Sequence, residues 1–312
     1  MSKSKNKPMP IEPKAAAKEI INILGRILSS GHRPSEIFDD WIEQVQASLK
    51  RLPHLAQASA EGKSLPPDPP DIQKMFERMH SKYTPVCHET FSKALAQLVI
   101  AAEASWEDIL GDVYMQWGAP SNGLGQFFTP WSVASMMAHM TMGDIEQQIH
   151  ERIKAAATKT IVGQALLMSS LIIDTPADAQ EFFFTRLLPA VLQDVEPITI
   201  CDPTVGSGVM LLAAAECVPT WALQLGLVQF FGMDIDQTCV TMAKINVMLH
   251  GLNGYGLECA DALTNPLLLA MPIAEEVYAP LKDAPVEVKQ EVSRQLRTGQ
   301  YQMNLFETEA KT

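Results

Sequence analysis

The sequence predicts an α/β fold: part of a parallel, doubly wound sheet behind a helical N-terminal region, with a helical insert between the two. Three observations predict it. After Pro197, short β-branched or aromatic runs alternate with apolar helical stretches, which places strands at 198–202, 228–234 and about 257–260 and helices at 207–217 and 236–250. Each strand ends on or beside an aspartate: Asp202, Asp234 and Asp261. The first strand also runs into a glycine turn, Asp202-Pro203-Thr204-Val205-Gly206-Ser207-Gly208, followed by an apolar helical run. Gly206 and Gly208 allow a sharp bend and a close backbone approach that a Cβ would block.

The segments divide as follows. Residues 1–16 are basic and polar, a disordered tail carrying Lys3, Lys5, Lys7 and Lys14. Residues 17–142 form a helical region. In it Ile20, Ile23, Leu24, Ile27 and Leu28 share one face, and Ile37, Trp41, Ile42 and Val45 another. The prolines of Ser64–Asp71 break the chain, and Asp71 caps the next helix. Helices follow at Met75–Ser81, Thr90–Ala102 and Trp106–Trp117, the last capped by Ser105. The glycine-rich loop Gly118–Phe128 leads to Thr129 and Pro130, which start another helix with Pro in its first turn. Residues 143–195 are a helical insert. In it Thr160–Ile173 is apolar enough for a buried helix or a strand, and Gln164, Ala165, Leu166 and Met168, which lack β-branching, favour helix. Residues 196–270 hold the partial sheet, 271–298 a C-terminal helix and 299–312 a flexible tail.

Composition narrows the class. A hydrophobic fraction of 47% with 19% charged residues is that of a core-forming chain. No apolar stretch suits a membrane span and the N-terminus lacks a signal-peptide core, so the expected location is the cytoplasm. The five cysteines (Cys87, Cys201, Cys217, Cys239, Cys259) form no C-x-x-C pair, which argues against zinc or a disulfide framework; those in strands are expected in the core. The net charge of −12 lacks the basic excess of a protein that grips DNA unaided. A basic groove is therefore local, or a partner holds the DNA, or DNA is not bound.

The strand ends suggest a cofactor pocket. In a doubly wound sheet, the carboxyl end of the second strand faces a cofactor ribose, whose hydroxyls suit Asp234. Gly232 gives clearance beside it. Asp261 can accept from an adenine amino group, and Asp202 can orient the turn or meet a cationic group. Any one of these aspartates can equally be a helix cap, as expected of Asp236. The three together with the turn favour the pocket.

With these residues in view, the chain resembles the adenine-N6 DNA methyltransferases, most closely the modification subunits of type I restriction systems. The resemblance covers about residues 75–142 and 196–270. It rests on Gly125-Gln126-Phe127-Phe128-Thr129-Pro130, on Asp202-Pro203-Thr204-Val205-Gly206-Ser207-Gly208 and on Asp108-Ile109-Leu110-Gly111-Asp112-Val113-Tyr114. It implies a Rossmann-like S-adenosylmethionine-dependent methyltransferase sheet. The implied cofactor residues are Gln126, Phe128, Thr129, Pro130, Asp202, Pro203, Gly206, Gly208, Asp234 and Asp261. Phe128, Thr129 and Pro130 would line the methionine end, the ribose would fall on Asp234 and the adenine on Asp261. Core packing is the alternative for Phe127 and Phe128.

The family's catalytic Asn/Asp-Pro-Pro-aromatic motif, which holds the flipped adenine amino group, does not occur. Asn265-Pro266 is followed by leucines, and Asp68-Pro69-Pro70-Asp71 lacks both the aromatic and a preceding strand. No catalytic residue is therefore assigned. If the family topology holds, the first strand lies mid-sheet with an open edge that the insert or another chain covers. The resemblance implies DNA as substrate, with a complementary methyltransferase or specificity subunit as partner. Gln302-Met303-Asn304-Leu305-Phe306 is similar to the peptide by which bacterial DNA enzymes dock on the sliding clamp, through Gln302, Leu305 and Phe306; packing on their own domain is the alternative. Three readings compete: an adenine methyltransferase completed by a partner, a non-catalytic binding module in a restriction, replication or mobile-element complex, and an inactive relic.

Overall fold

A computed structural model describes residues 12–60, 62–64, 67–117, 128–252 and 256–262. Helices α1 (Pro13–Gly25), α2 (Pro34–Ala60), α3 (Pro70–Lys82), α4 (Pro85–Ala104), α5 (Ile109–Trp117) and α6 (Trp131–Met142) precede the sheet. The insert supplies α7 (Ile145–Thr158), α8 (Ile161–Ser170), α9 (Pro176–Phe182) and α10 (Leu188–Val191). Then come β1 (Ile198–Asp202), α11 (Val209–Glu216), α12 (Thr220–Gln224), β2 (Val228–Asp234), α13 (Gln237–Leu249) and β3 (Gly256–Cys259).

The three strands form one sheet in the order β1-β2-β3. β2 and β3 are parallel, with Asp234 opposite Cys259. This is the partial α/β sheet that the strand–helix alternation predicts, consistent with the Rossmann-like arrangement that the resemblance implies. β2 is buried along most of its length, with Phe230 and Met233 inside. Among the described residues β1 has no strand on its far side, the open edge that the sequence predicts, and its positions alternate half-buried and exposed.

The chain divides into two units. In the first, α1 to α5 bury Ile20, Leu24, Phe38, Trp41, Met79, Phe91 and Leu98 in one core with Cys239, Met242 and Ile245 of α13. Trp41 is fully buried and its Nε1 donates to the Phe91 carbonyl at 3.2 Å. Asp40 accepts from Tyr83 Oη at 2.8 Å and pairs with Lys82 at 2.5 Å, so its charge enters the helical layer neutralised. A smaller cluster joins Ala134 and Ala138 of α6 to Val209 and Ala213 of α11. In the second unit, α7 buries Ile145, Ile149 and Ile153. There Trp221 meets His150, Phe183 and Phe184 at ring-centroid distances of 5.9, 5.7 and 5.4 Å.

Several local expectations need correction. The N-terminal helix begins at Pro13, inside the segment expected as tail, and buries Ala16 and Ala17. Leu28 is exposed, because the chain tightens into a 3₁₀ turn over Arg26–Ser30 and rotates it off the core face. Asp71 is no cap: α3 starts at Pro70, whose fixed φ and missing N–H suit a first helical position. The helix expected from Ser105 starts at Ile109. Ser105 Oγ instead accepts from the Glu107 amide at 3.1 Å, and Asp108 takes the cap role by accepting from Gly111 at 2.8 Å. Pro130 sits outside α6 in an extended conformation. Cys201 and Cys259, expected in the core, are exposed, whereas the helical Cys87 and Cys239 are buried. The small sheet leaves those strand positions uncovered. The Thr160–Ile173 segment is helical over Ile161–Ser170, with Thr160 capping Gly163, but it is mostly not buried: Ile161 is 86% and Leu171 75% exposed. The short helix α12 was not foreseen.

Candidate cofactor site

The site is built where β1 gives way to α11. Asp202 Oδ1 accepts from the Thr204 amide at 3.0 Å, which closes the first bend. The Val205 amide donates to the Met233 carbonyl at 2.8 Å and pins the turn to β2. Gly206 and Gly208 then take φ values of +52° and +91°, a left-handed conformation that favours glycine. A Cβ at Gly208 would press on Ala243 of α13 at 3.3 Å. Val205 projects into the space left by Gly232, whose absent Cβ would lie 2.9 Å from the Val205 side chain. Gly232 therefore makes room for the turn itself, which corrects its expected role as clearance for a ribose.

Asp234 closes β2 directly against this turn. Its Oδ2 accepts from the Gly206 amide at 3.0 Å and its Oδ1 from the Asp236 amide at 2.9 Å. Asp236 caps α13 as expected, accepting from Thr238 at 2.8 Å. The Ala260 amide donates to the Asp234 carbonyl at 2.9 Å, so Asp261 follows immediately beyond the end of β2. Burial raises the pKa of Asp202, the hydrogen bonds from Thr204 oppose that rise, and the charge of Asp234 adds to it. Two carboxyl groups, Asp202 and Asp234, therefore flank the turn.

Phe128 reaches the same turn. Its Cε1 would lie 3.2 Å from a Cβ on Gly206, and its ring stands 5.6 Å from that of Tyr114. Phe128 is partly buried against the helical core, so the packing role weighed from sequence is real and coexists with its place at the turn. Thr129 is half-buried and Pro130 exposed just before α6, and Pro203 is exposed in the bend. Gln126, Phe127, Gln302, Leu305 and Phe306 lie outside the described residues.

Sequence reasoning assigned no role to the groups beneath the turn. Asp108 is buried; its Oδ1 accepts from the Gly111 amide at 2.8 Å and from Asn246 Nδ2 at 2.7 Å, and its Oδ2 accepts from Ser207 Oγ. Asn246 Nδ2 also donates to the Ser207 carbonyl at 2.9 Å. Burial pushes the Asp108 carboxyl up to about 6, against the pull of those donors. Two sequence signals pointed here: Asp108-x-x-Gly111 at a helix start, and a lone Asn within the apolar run of α13.

With that geometry in place, the comparisons fall on the same region. The family model for N-6 DNA Methylase matches residues 175–280. That stretch holds β1, the glycine turn, β2, α13 and β3, and it supports the adenine-N6 methyltransferase kinship that the motifs imply. A protein of Methanocaldococcus jannaschii, named as a type II restriction enzyme and methyltransferase, is 28% identical over 173 residues, which cover 48% of this chain and 14% of the relative. The methyltransferase subunit of a type I restriction–modification system from Streptococcus thermophilus is 15% identical with a TM-score of 0.38, over 80% of this chain and 59% of that one. The chain thus spans a minor part of the first relative and somewhat over half of the second. It is similar to methyltransferases of restriction–modification systems. Among the described residues there is no group of three metal-ligating side chains, and no helix is long and apolar enough to cross a membrane.

Proposed function

We propose that the turn binds S-adenosylmethionine and that the protein takes part in adenine-N6 methylation of DNA within a cytoplasmic restriction–modification assembly. The observation that carries this reading is the Asp234 carboxylate on the Gly206 amide. A turn built for a dinucleotide keeps its backbone N–H groups for pyrophosphate. Here a carboxylate occupies that donor, and Asp202 lies close enough to feel its charge. This rim repels phosphate and suits a ligand bearing a sulfonium and an ammonium group. Asp234 keeps lone pairs for ribose hydroxyls, since each carboxylate oxygen accepts more than one hydrogen bond. Phe128, with Thr129 and Pro130 after it, would bound the methionine end, and Asp261 would meet the adenine.

When bound, the cofactor supplies an electrophilic methyl group. The residues of this chain would hold and orient it. In this reading the contacts to the target adenine come from outside these 312 residues, among which no Asn/Asp-Pro-Pro-aromatic sequence occurs. A complementary methyltransferase or specificity subunit is the proposed source, and with a charge of −12 the same partner would hold the DNA. Docking of Gln302, Leu305 and Phe306 on a sliding clamp is a separate proposal, resting on the pentapeptide alone.

Calorimetry with S-adenosylmethionine and with NAD tests the reading. Saturable binding of the first and none of the second is expected; the reverse preference would overturn it. Labelled methyl transfer to DNA is expected only after a partner is added, and transfer by the chain alone would refute the need for one.

A further inference from the structure

We infer that Asp108 is a positioning residue for the cofactor turn, acting through Ser207. The binding arm of this inference rests on the reading above; the conformational arm does not. Asp108 stands at the start of α5, far from the turn in sequence, yet it receives the hydroxyl of the residue between the two left-handed glycines. Asn246 of α13 bonds both Asp108 and the Ser207 carbonyl, so Ser207 is held by its side chain and its backbone at once.

The local sequence is cut to fit this junction. A Cβ at Gly111 would collide with Asp108 Oδ2 and Ser207 Oγ. Ser207 and Asn246 are almost wholly buried. A turn with two residues at positive φ is costly to hold in one conformation, because glycine has the most backbone freedom to lose. A buried, multiply bonded carboxylate restricts that freedom before any ligand arrives, and preorganisation of this kind is returned as affinity. The charge is not needed for filling space. Among the described residues three donors and no cation meet this carboxyl, so hydrogen bonds offset its burial, which points to selection for hydrogen-bond geometry at Ser207.

The test compares Asp108→Ala, Asp108→Leu and Asp108→Asn with the unaltered chain. An Asn keeps one oxygen for Gly111 and Asn246, and its amide can donate to Ser207 Oγ. Hydrogen exchange across residues 205–209 without ligand is expected to quicken about tenfold or more in the Ala and Leu variants and to return toward normal in Asn. S-adenosylmethionine affinity is expected to fall by about the same factor and to show the same rescue. Ser207→Ala added to Asp108→Ala should cost little more than either alone. Unchanged exchange in the Ala and Leu variants would overturn the inference, as would equal loss in Asn, Ala and Leu. If exchange behaves as expected but the unaltered chain binds no S-adenosylmethionine, the cofactor reading fails and the positioning role stands. Circular dichroism of each variant separates a loosened turn from an unfolded chain.

Discussion

Asp234 accepts from the amide of Gly206 across 3.0 Å while its second oxygen accepts from Asp236. One carboxylate therefore ties the turn after β1 to the start of α13. Asp234→Asn leaves a single acceptor oxygen for two backbone donors. The variant should lose about 1–3 kcal/mol of stability, with S-adenosylmethionine binding weakened at least tenfold. Urea unfolding and calorimetry measure the two effects, and normal values for both would refute the placement of the pocket.

Gly208 adopts φ +91° beside Ala243. Alanine there must accept a left-handed backbone and a close contact at 3.3 Å. Gly208→Ala is expected to destabilise the protein by roughly 1–2 kcal/mol from backbone strain alone. A variant with an unshifted urea midpoint would show that the turn is not held in this conformation.

The Asp108 carboxyl titrates near 6 in the folded protein against an ordinary value of 3.8. A raised carboxyl favours the folded state while it is protonated. Its contribution is full below 3.8 and is lost as pH rises through about 6, a change of about 3 kcal/mol. Asp108→Asn removes this dependence. The stability of that variant relative to the unaltered chain should therefore rise between pH 4 and pH 7, and denaturant titrations giving a flat difference would contradict the buried, ionisable state.

Trp41 anchors the helical layer, fully buried with its indole N–H on Phe91. Trp41→Ala should cost about 3–5 kcal/mol. Thermal unfolding checks this, and a loss below about 1 kcal/mol, the size of a surface substitution, would mean that the core is not organised around that ring.

Much of the sheet was legible because its signals are local. Val228–Asp234 reads as a strand from its apolar and aromatic run, and Asp236 reads as a cap from its position before a helix; both read the same way in the structure. The helix starts were less legible. Pro70 and Pro85 open helices earlier than the apolar periodicity does, because a proline, which reads as a helix breaker in the chain, is accommodated at a first helical position. The exposure of Cys201 and Leu171 was not legible either, since burial depends on what lies across from a residue and not on its own side chain.

The sequence alone determined the three strands after Pro197 with the helices α11 and α13 between them, the glycine turn and the aspartates at the strand ends, each set by backbone sterics and short-range pattern. Only the tertiary structure decided what those groups touch. It gave Asp234 to the Gly206 amide, Gly232 to the Val205 side chain and Asp108 to Ser207. Asp108 and Ser207 are 99 residues apart, and a hydrogen bond depends on distance in space, which local spacing along the chain does not encode.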